Sequence, residues 1–371
     1  MHFIKTLAKQ FAIDGDLQQA TAYGTGHIND TYVLHFDQDG VSKRTVLQRI
    51  NQHVFPDPYA VMENFEVIVG HIGRKVNDHP KSERCVLRAI ATRGNQSYHV
   101  DSHDEVWRMT HFIENTVTHD IVRDLSQLRE AGRAFGQFQQ QLSDLPAEQL
   151  TDTIPNFHHA RLRFDALQTA ISADPCRRAQ QTQETIRFAL DQEPLVDVLL
   201  NLNASGTIPT RVTHNDTKIN NLLFDAQSGE ALCVTDLDTT MAGLALYDFG
   251  DLVRSSVSLS AEDEPNLDLI HADLDRFRAV AHGYLDAAHG MLNSAECAHL
   301  VHASQLMTFV IGVRFLTDHL NGDRYFKIHR PNHNLDRARS QFKLVASMQS
   351  QAEQMKAIVA NWQPHEALSF Q

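Results

Sequence analysis

His214-Asn215-Asp216-Thr217-Lys218-Ile219-Asn220-Asn221 places a His, an Asp and an Asn at fixed spacing. One residue separates the first two, and four separate the last two. Phosphoryl transfer asks for these residue types in this order. An Asp accepts the proton of the attacking hydroxyl, and an Asn five residues on can hold a magnesium ion against the phosphates. Lys218, two residues past the Asp, can reach a γ-phosphate as a point charge. Three residue types at fixed spacing also coincide by chance, so the flanking sequence has to decide.

The flanks support the reading. Arg211-Val212-Thr213 reads as a short strand entering the loop. Leu222-Leu223-Phe224, the turn residues Asp225 to Glu230, and Ala231-Leu232-Cys233-Val234-Thr235 read as a hairpin. A hairpin returns its end close to its start. Asp236 is therefore expected beside Asn221, where two oxygen ligands can share a magnesium ion. Asp248-Phe249-Gly250 also spells a metal-binding triplet, but the chain has already left the hairpin through Gly243. Asp248 is expected to cap a helix from Phe249 to Ser256 or to hydrogen-bond the 214–221 loop.

Upstream, the first third reads as strands with one helix. Ala22 to Leu34 suggests strand, glycine-containing turn, strand, and Thr45 to Ile50 a third strand. Tyr59 to Val76 carries Val61, Phe65, Ile68, Val69 and Ile72 at helical spacing. Strand-like runs follow at Cys85–Thr92, Ser97–Val100 and Val106–Ile113. Beyond Asn115 helices take over, at Asp124–Leu145, 156–172 and 178–201. They return after the β segment 211–238, the last from Asn334 to Trp362. The expected fold is α+β and bilobal. A small β-rich, nucleotide-binding lobe spans 1–112, and a larger, mostly helical lobe spans 113–371 and carries the catalytic and substrate-binding residues.

Composition narrows the function classes. The 371 residues are 42% hydrophobic and 21% charged, as in a globular protein with a real core. The net charge of −13, without a long basic run, argues against a nucleic-acid partner. No apolar run approaches the ~20 residues of a membrane span, and Met1-His2-Phe3-Ile4-Lys5 lacks a signal-peptide core. These features lead us to expect a cytoplasmic protein with no membrane partner, as a monomer or weak oligomer. Cys85, Cys176, Cys233 and Cys297 form no CxxC pair, and the 22 histidines include no His-Glu-x-x-His.

With these residues in view, the chain resembles the aminoglycoside phosphotransferase/choline kinase-like branch of the protein-kinase fold. Within it, the chain looks most similar to N-acetylhexosamine 1-kinases. The resemblance is carried by Gly24 to Asn29, Leu47 to Asn51 with Phe55-Pro56-Asp57, His214 to Asn221 and Asp236 to Thr239. Tyr247 to Asp251, Gly312 to Leu316 and Gly322 to Phe326 complete it. It implies ATP and Mg²⁺ as cofactors and phosphorylation of the anomeric hydroxyl of N-acetylglucosamine or N-acetylgalactosamine. Asp216 matches the catalytic base, and Asn221 and Asp236 match the metal ligands. Segment 109–115 matches a hinge holding adenine near His111, Phe112 and Ile113. His27, Asn29, Asp238, Arg314 and Tyr325 match a sugar-facing set. For Arg314 the alternative is a salt bridge to Asp318 one turn along, and for Tyr325 it is packing between lobes.

One position departs from the wider pattern. The third strand normally carries a Lys that grips the α- and β-phosphates and pairs with a helix Glu. Here that position is Gln48, with Glu66 as the helix candidate. Lys43, Arg44 and the backbone of the Gly24–Gly26 turn are then candidates for holding the phosphates. Two other functions stay open. One is the same chemistry on an aminoglycoside, choline, homoserine or another small alcohol. The other is a nucleotide-binding scaffold without transferase activity.

Overall fold

Our computed structural model describes residues 2–23 and 28–363. Gly24, Gly26 and His27, expected at the nucleotide and the sugar, lie outside the described residues. A short helix α1 (His2–Ala8) leads to strands β1 (Asp16–Ala22), β2 (Asp30–Gln38) and β3 (Val41–Arg49). Helix α2 (Pro58–Lys75) follows, then β4 (Tyr98–Val100) and β5 (Val106–His111). The five strands form one antiparallel sheet in the order β1-β2-β3-β5-β4.

Side chains alternate across this sheet. Leu34, Leu47, Trp107 and Met109 face α1 in one apolar cluster. Val106 packs instead with Phe65, Ile68 and Ile72 of α2 and with Phe138 and Leu142 beyond. Asp57 starts α2 by accepting from the backbone N–H of Tyr59 and Ala60, with Pro58 at the first helical position.

The rest is mainly helical. Strand β6 (Thr116–Val117) precedes α3 (Leu125–Leu142), α4 (Ala160–Ala173), α5 (Gln183–Asp191) and α6 (Val198–Ala204). Next come β7 (Arg211–Thr213), β8 (Leu222–Asp225), β9 (Ala231–Val234) and β10 (Met241–Gly243). Helices α7 (Ala245–Ser256), α8 (Leu274–Ala288), α9 (Ser294–Ala298), α10 (Leu300–Leu320), α11 (His333–Ser350) and α12 (Ala352–Ala360) complete the chain. Strands β8 and β9 form the expected hairpin, with β6 on its edge, while β7 pairs with β10. This is an α+β, protein-kinase-like arrangement of sheet followed by helices.

Several expectations need correction. Cys85–Thr92 is not a strand: only Ala89 and Thr92 make single bridges, to Thr110 and Phe11. The helix expected over 178–201 is broken at Glu193–Leu195, where Pro194 removes a backbone donor. The terminal helix divides at Gln351 into α11 and α12. Among the described residues α10 is long and apolar enough to cross a bilayer, where no apolar run of that length was expected. Its most apolar stretch is 83% buried inside the protein, which makes it the core helix of the helical region.

Helices α3 and α8 touch backbone to backbone. A Cβ on Gly283 would stand 2.0 Å from the Arg129 carbonyl oxygen, and one on Gly132 would stand 2.3 Å from that of Val280. Gly283→Ala is therefore expected to lower stability by about 1–3 kcal/mol, the usual cost of overpacking, read as a lower urea midpoint. An unchanged midpoint would mean that the helices can separate without loss.

Candidate active site

Strand β7 delivers the 214–221 loop, and two devices hold it. Asn215 sits in the left-handed region at φ 64°, a conformation Asn tolerates better than most residues. Its side chain accepts from Thr213 Oγ1 at 3.0 Å and donates to the carbonyls of Thr213 and Thr239 at 3.1 and 2.9 Å. Below the loop lies Asp248, 1% exposed. Its carboxylate accepts from the backbone N–H of His214 at 2.8 Å and of Asn215 at 2.7 Å, and from Gln139 Nε2. Its own carbonyl accepts from Thr217 Oγ1 at 2.6 Å. Burial pushes the Asp248 carboxyl up to about 6. Of its two expected roles, Asp248 fills the second. It lies inside α7, which begins at Ala245, and ties down the loop instead of capping the helix.

His214 is buried edge-on against Phe135 and Phe138. Its Nε2 lies 2.9 Å from the Thr235 carbonyl, and its Nδ1 lies 3.2 Å from the Asp216 amide nitrogen. A single proton, on Nε2, satisfies both contacts. His214 thereby joins the loop to the end of the β8–β9 hairpin.

Asp216 keeps a quarter of its side chain exposed. Oδ1 lies 3.0 Å from Lys218 Nζ, and Oδ2 accepts from Asn221 Nδ2 at 3.1 Å. Burial pushes its carboxyl up, but the positive groups around it, Lys218 foremost, together outweigh that and hold it below the ordinary carboxylate range. Asn221 also donates to the Asp216 carbonyl at 2.8 Å, which leaves its own amide oxygen to offer a ligand. The hairpin closes as expected: Thr235 N–H donates to the Asn221 carbonyl at 2.8 Å. The next residue, Asp236, is left-handed at φ 58°. Burial first, then the charges of Asp238 and Asp216, push its carboxyl up to about 6.

Among the described residues no group of three His, Cys, Asp or Glu side chains is placed to hold a metal ion. Asn221 and Asp236 offer two oxygens beside surplus negative charge. That set fits a hard cation completing its shell with water and phosphate oxygens, as Mg²⁺ does.

On the nucleotide side the expected residues do not all meet. Gln48 does not face Glu66. Glu66 is exposed and lines a shallow depression with His71, Arg74 and Asp144, between α2 and the end of α3. The inward residue of α2 is Asn64, which bonds the backbone of Thr151 and Thr240. Gln48 accepts instead from Arg108, which was not among the expected site residues. Its signal was a charged side chain set between the apolar Trp107 and Met109. Arg44 pairs with Glu114 and stacks on Phe112 at 3.9 Å, which places it against segment 109–115. Ile113 joins Leu232 and Cys233 in a small apolar cluster, with Leu87 and Leu223 against it, while His111 is exposed at the end of β5.

On the side expected to face the acceptor, His158 Nε2 lies 2.8 Å from the Asn215 carbonyl, and burial lowers its pKa to about 4. The preceding residue, Phe157, stacks with Arg314, whose guanidinium carbon is 5.0 Å from that ring, 5.7 Å from Tyr325 and 5.5 Å from Phe326. Arg314 Nη2 reaches Tyr325 Oη at 3.4 Å. The alternative salt bridge to Asp318 does not form. Asp318 accepts instead from the backbone N–H of Arg324, Tyr325 and Phe326, each at 2.9 Å. Tyr325 stays 59% exposed, so it is not a lobe-packing residue. Asp238, by contrast, is 2% exposed and bonded to Asn29 at 2.7 Å; the structure turns these two toward each other and not toward open space.

Residues 19–284 match the family model described as "Phosphotransferase enzyme family". Several solved structures share the fold. A microcompartment-associated aminopropanol kinase superposes with a TM-score of 0.58 at 13% identity, covering 96% of this chain and 98% of its own. A choline kinase from Cryptosporidium parvum Iowa II gives 0.57 at 12%, covering 97% and 99%. A spectinomycin phosphotransferase, in complex with ADP and spectinomycin, gives 0.56 at 13%, covering 95% and 98%.

Proposed function

Since the chain belongs to the phosphotransferase enzyme family, we propose that it transfers the γ-phosphoryl group of ATP to the anomeric hydroxyl of an N-acetylhexosamine. Asp216 orients that hydroxyl and takes its proton. Lys218 sits beside it to meet the incoming phosphate charge. Asn221 and Asp236 would hold Mg²⁺, which supplies neutralisation of charge on the phosphates. The apolar cluster at Ile113 offers a wall for a purine, with the hinge backbone from His111 to Ile113 at its edge.

The observation that carries the acceptor class is Arg314. Contacts run without a break from Asp216 through Asn215, His158 and Phe157 to its guanidinium. That cation, free of Asp318, presents planar donors beside an exposed tyrosine ring. A neutral acyl oxygen and a sugar face suit it. A cationic acceptor, such as choline, an aminopropanol or an aminoglycoside, would be repelled there.

The deciding experiment follows ADP release with ATP, Mg²⁺ and a panel of acceptors, including free sugars, aminoglycosides, choline and homoserine. Phosphorus NMR then locates the new phosphate. Release dependent on N-acetylglucosamine or N-acetylgalactosamine is the expected result, and no turnover with any aminohexose would overturn the acceptor assignment. Arg314→Ala is expected to raise KM for the sugar by about 10–100-fold, the worth of a lost charged hydrogen bond, with KM for ATP unchanged.

A further inference from the structure

Gln48 stands where the wider kinase pattern carries a lysine, and its surroundings give it another task. Gln48 and Arg108 are cross-strand partners on β3 and β5. Gln48 Oε1 accepts from Arg108 Nε at 2.9 Å and Nη2 at 2.5 Å, and Gln48 Nε2 donates to Thr31 Oγ1 at 3.1 Å. Two bonds to one side of a planar guanidinium fix its orientation. The ring of Phe65, 5.1 Å away on α2, covers its face. The remaining nitrogen, Nη1, then meets Asp238 Oδ1 at 2.5 Å, with the two side chains 5% and 1% exposed. Neither atom has a hydrogen-bond partner, so they meet as an ion pair lacking hydrogen-bond alignment.

Asp238 belongs to the turn that carries Asp236. Its second oxygen is held by Asn29, which in turn accepts from Asn51 N–H at 2.9 Å. Its carbonyl accepts from Thr153 Oγ1 at 2.7 Å. Asp236 itself sits in the left-handed region, where a residue with a side chain stays only if its surroundings over-determine it. The bonds of Thr235 fix the residue before it, and the tethers on Asp238 fix the turn from the other side.

We propose that Arg108, anchored by Gln48, is a positioning residue for the metal-bearing turn: acting through Asp238, it sets where Asp236 points. It links the five-stranded sheet to that turn, and β3 carries Gln because the position must accept from a guanidinium. A lysine there would set an ammonium against Arg108. The proposal rests on the nucleotide and magnesium reading of Asn221 and Asp236.

Calorimetric titration with ADP, with and without Mg²⁺, tests it on the full chain. In the wild type, Mg²⁺ is expected to tighten ADP binding. In Arg108→Met that Mg²⁺-dependent gain should fall about 10–100-fold, the usual effect of losing a residue that orients a metal ligand. ADP affinity without Mg²⁺ should hold. Gln48→Lys should behave like Arg108→Met and not as a gain. Should Arg108→Met fail to fold, Gln48→Met decides by the same criterion, since it removes the anchor and leaves both charges. A Mg²⁺ gain equal to wild type, or a parallel loss of both affinities, would overturn the proposal. ADP binding by the wild type that ignores Mg²⁺ would overturn the magnesium reading itself, and this proposal with it.

Discussion

Asp216→Asn is expected to lower kcat by roughly 10²–10⁴, the range for removing a general base, with little change in KM for ATP. The geometry explains why so small a change matters. Both carboxylate oxygens are engaged, Oδ1 with Lys218 and Oδ2 with Asn221. An amide would turn an NH₂ toward one of these donors, losing charge and orientation together. Held below the ordinary carboxylate range by its positive neighbours, the Asp216 carboxyl is a weak base toward an alcohol. Its contribution is therefore mostly to aim the hydroxyl and accept its proton late, as a loose phosphoryl-transfer transition state permits. Single-turnover rates at saturating ATP give the cleanest reading. A loss below tenfold, in a variant that melts like the wild type, would remove Asp216 from the chemistry.

Asp248→Ala should cost the most stability. The substitution leaves the N–H groups of His214 and Asn215 and the Gln139 amide without their acceptor in a dry site. Each buried donor stranded in this way costs about 1–3 kcal/mol. Relief from burying a carboxylate offsets part of that, since burial already pushes its pKa up to about 6. We expect a net loss of about 3 kcal/mol or more, together with loss of activity at temperatures where the variant is still folded. Asp248→Asn, which keeps one acceptor oxygen, should fall between. An unshifted urea midpoint for the alanine variant would show that the loop does not depend on this carboxylate.

What could be read from the sequence was local. The 214–221 loop, the hairpin and the return of its end to Asn221 follow from short-range spacing and turn residues, and so does the order of sheet then helices. Position across the fold was less legible. Glu66 and Asn64 are two residues apart on one helix, and only packing decides which turns inward. Arg108 acquires its role from Gln48 across the sheet and Asp238 far along the chain, a meeting no local pattern encodes. Asp318 lies one turn from Arg314, a spacing that suggests a salt bridge, yet three backbone N–H groups claim it. Cys85–Thr92 has strand-like composition, but only single bridges reach it.

The close approach of α3 and α8 bears on motion. Where backbone meets backbone with no side chain between, there is no rotamer to yield and no soft layer to shear. That pair forms a stiff base whose amides should be among the last to exchange with solvent, opening only with the whole protein. Since α3 also holds His214 between Phe135 and Phe138 and reaches Asp248 through Gln139, the loop inherits that stiffness. Any large movement must then be borne by the sheet and its connections, while the Asp216 carboxylate stays put.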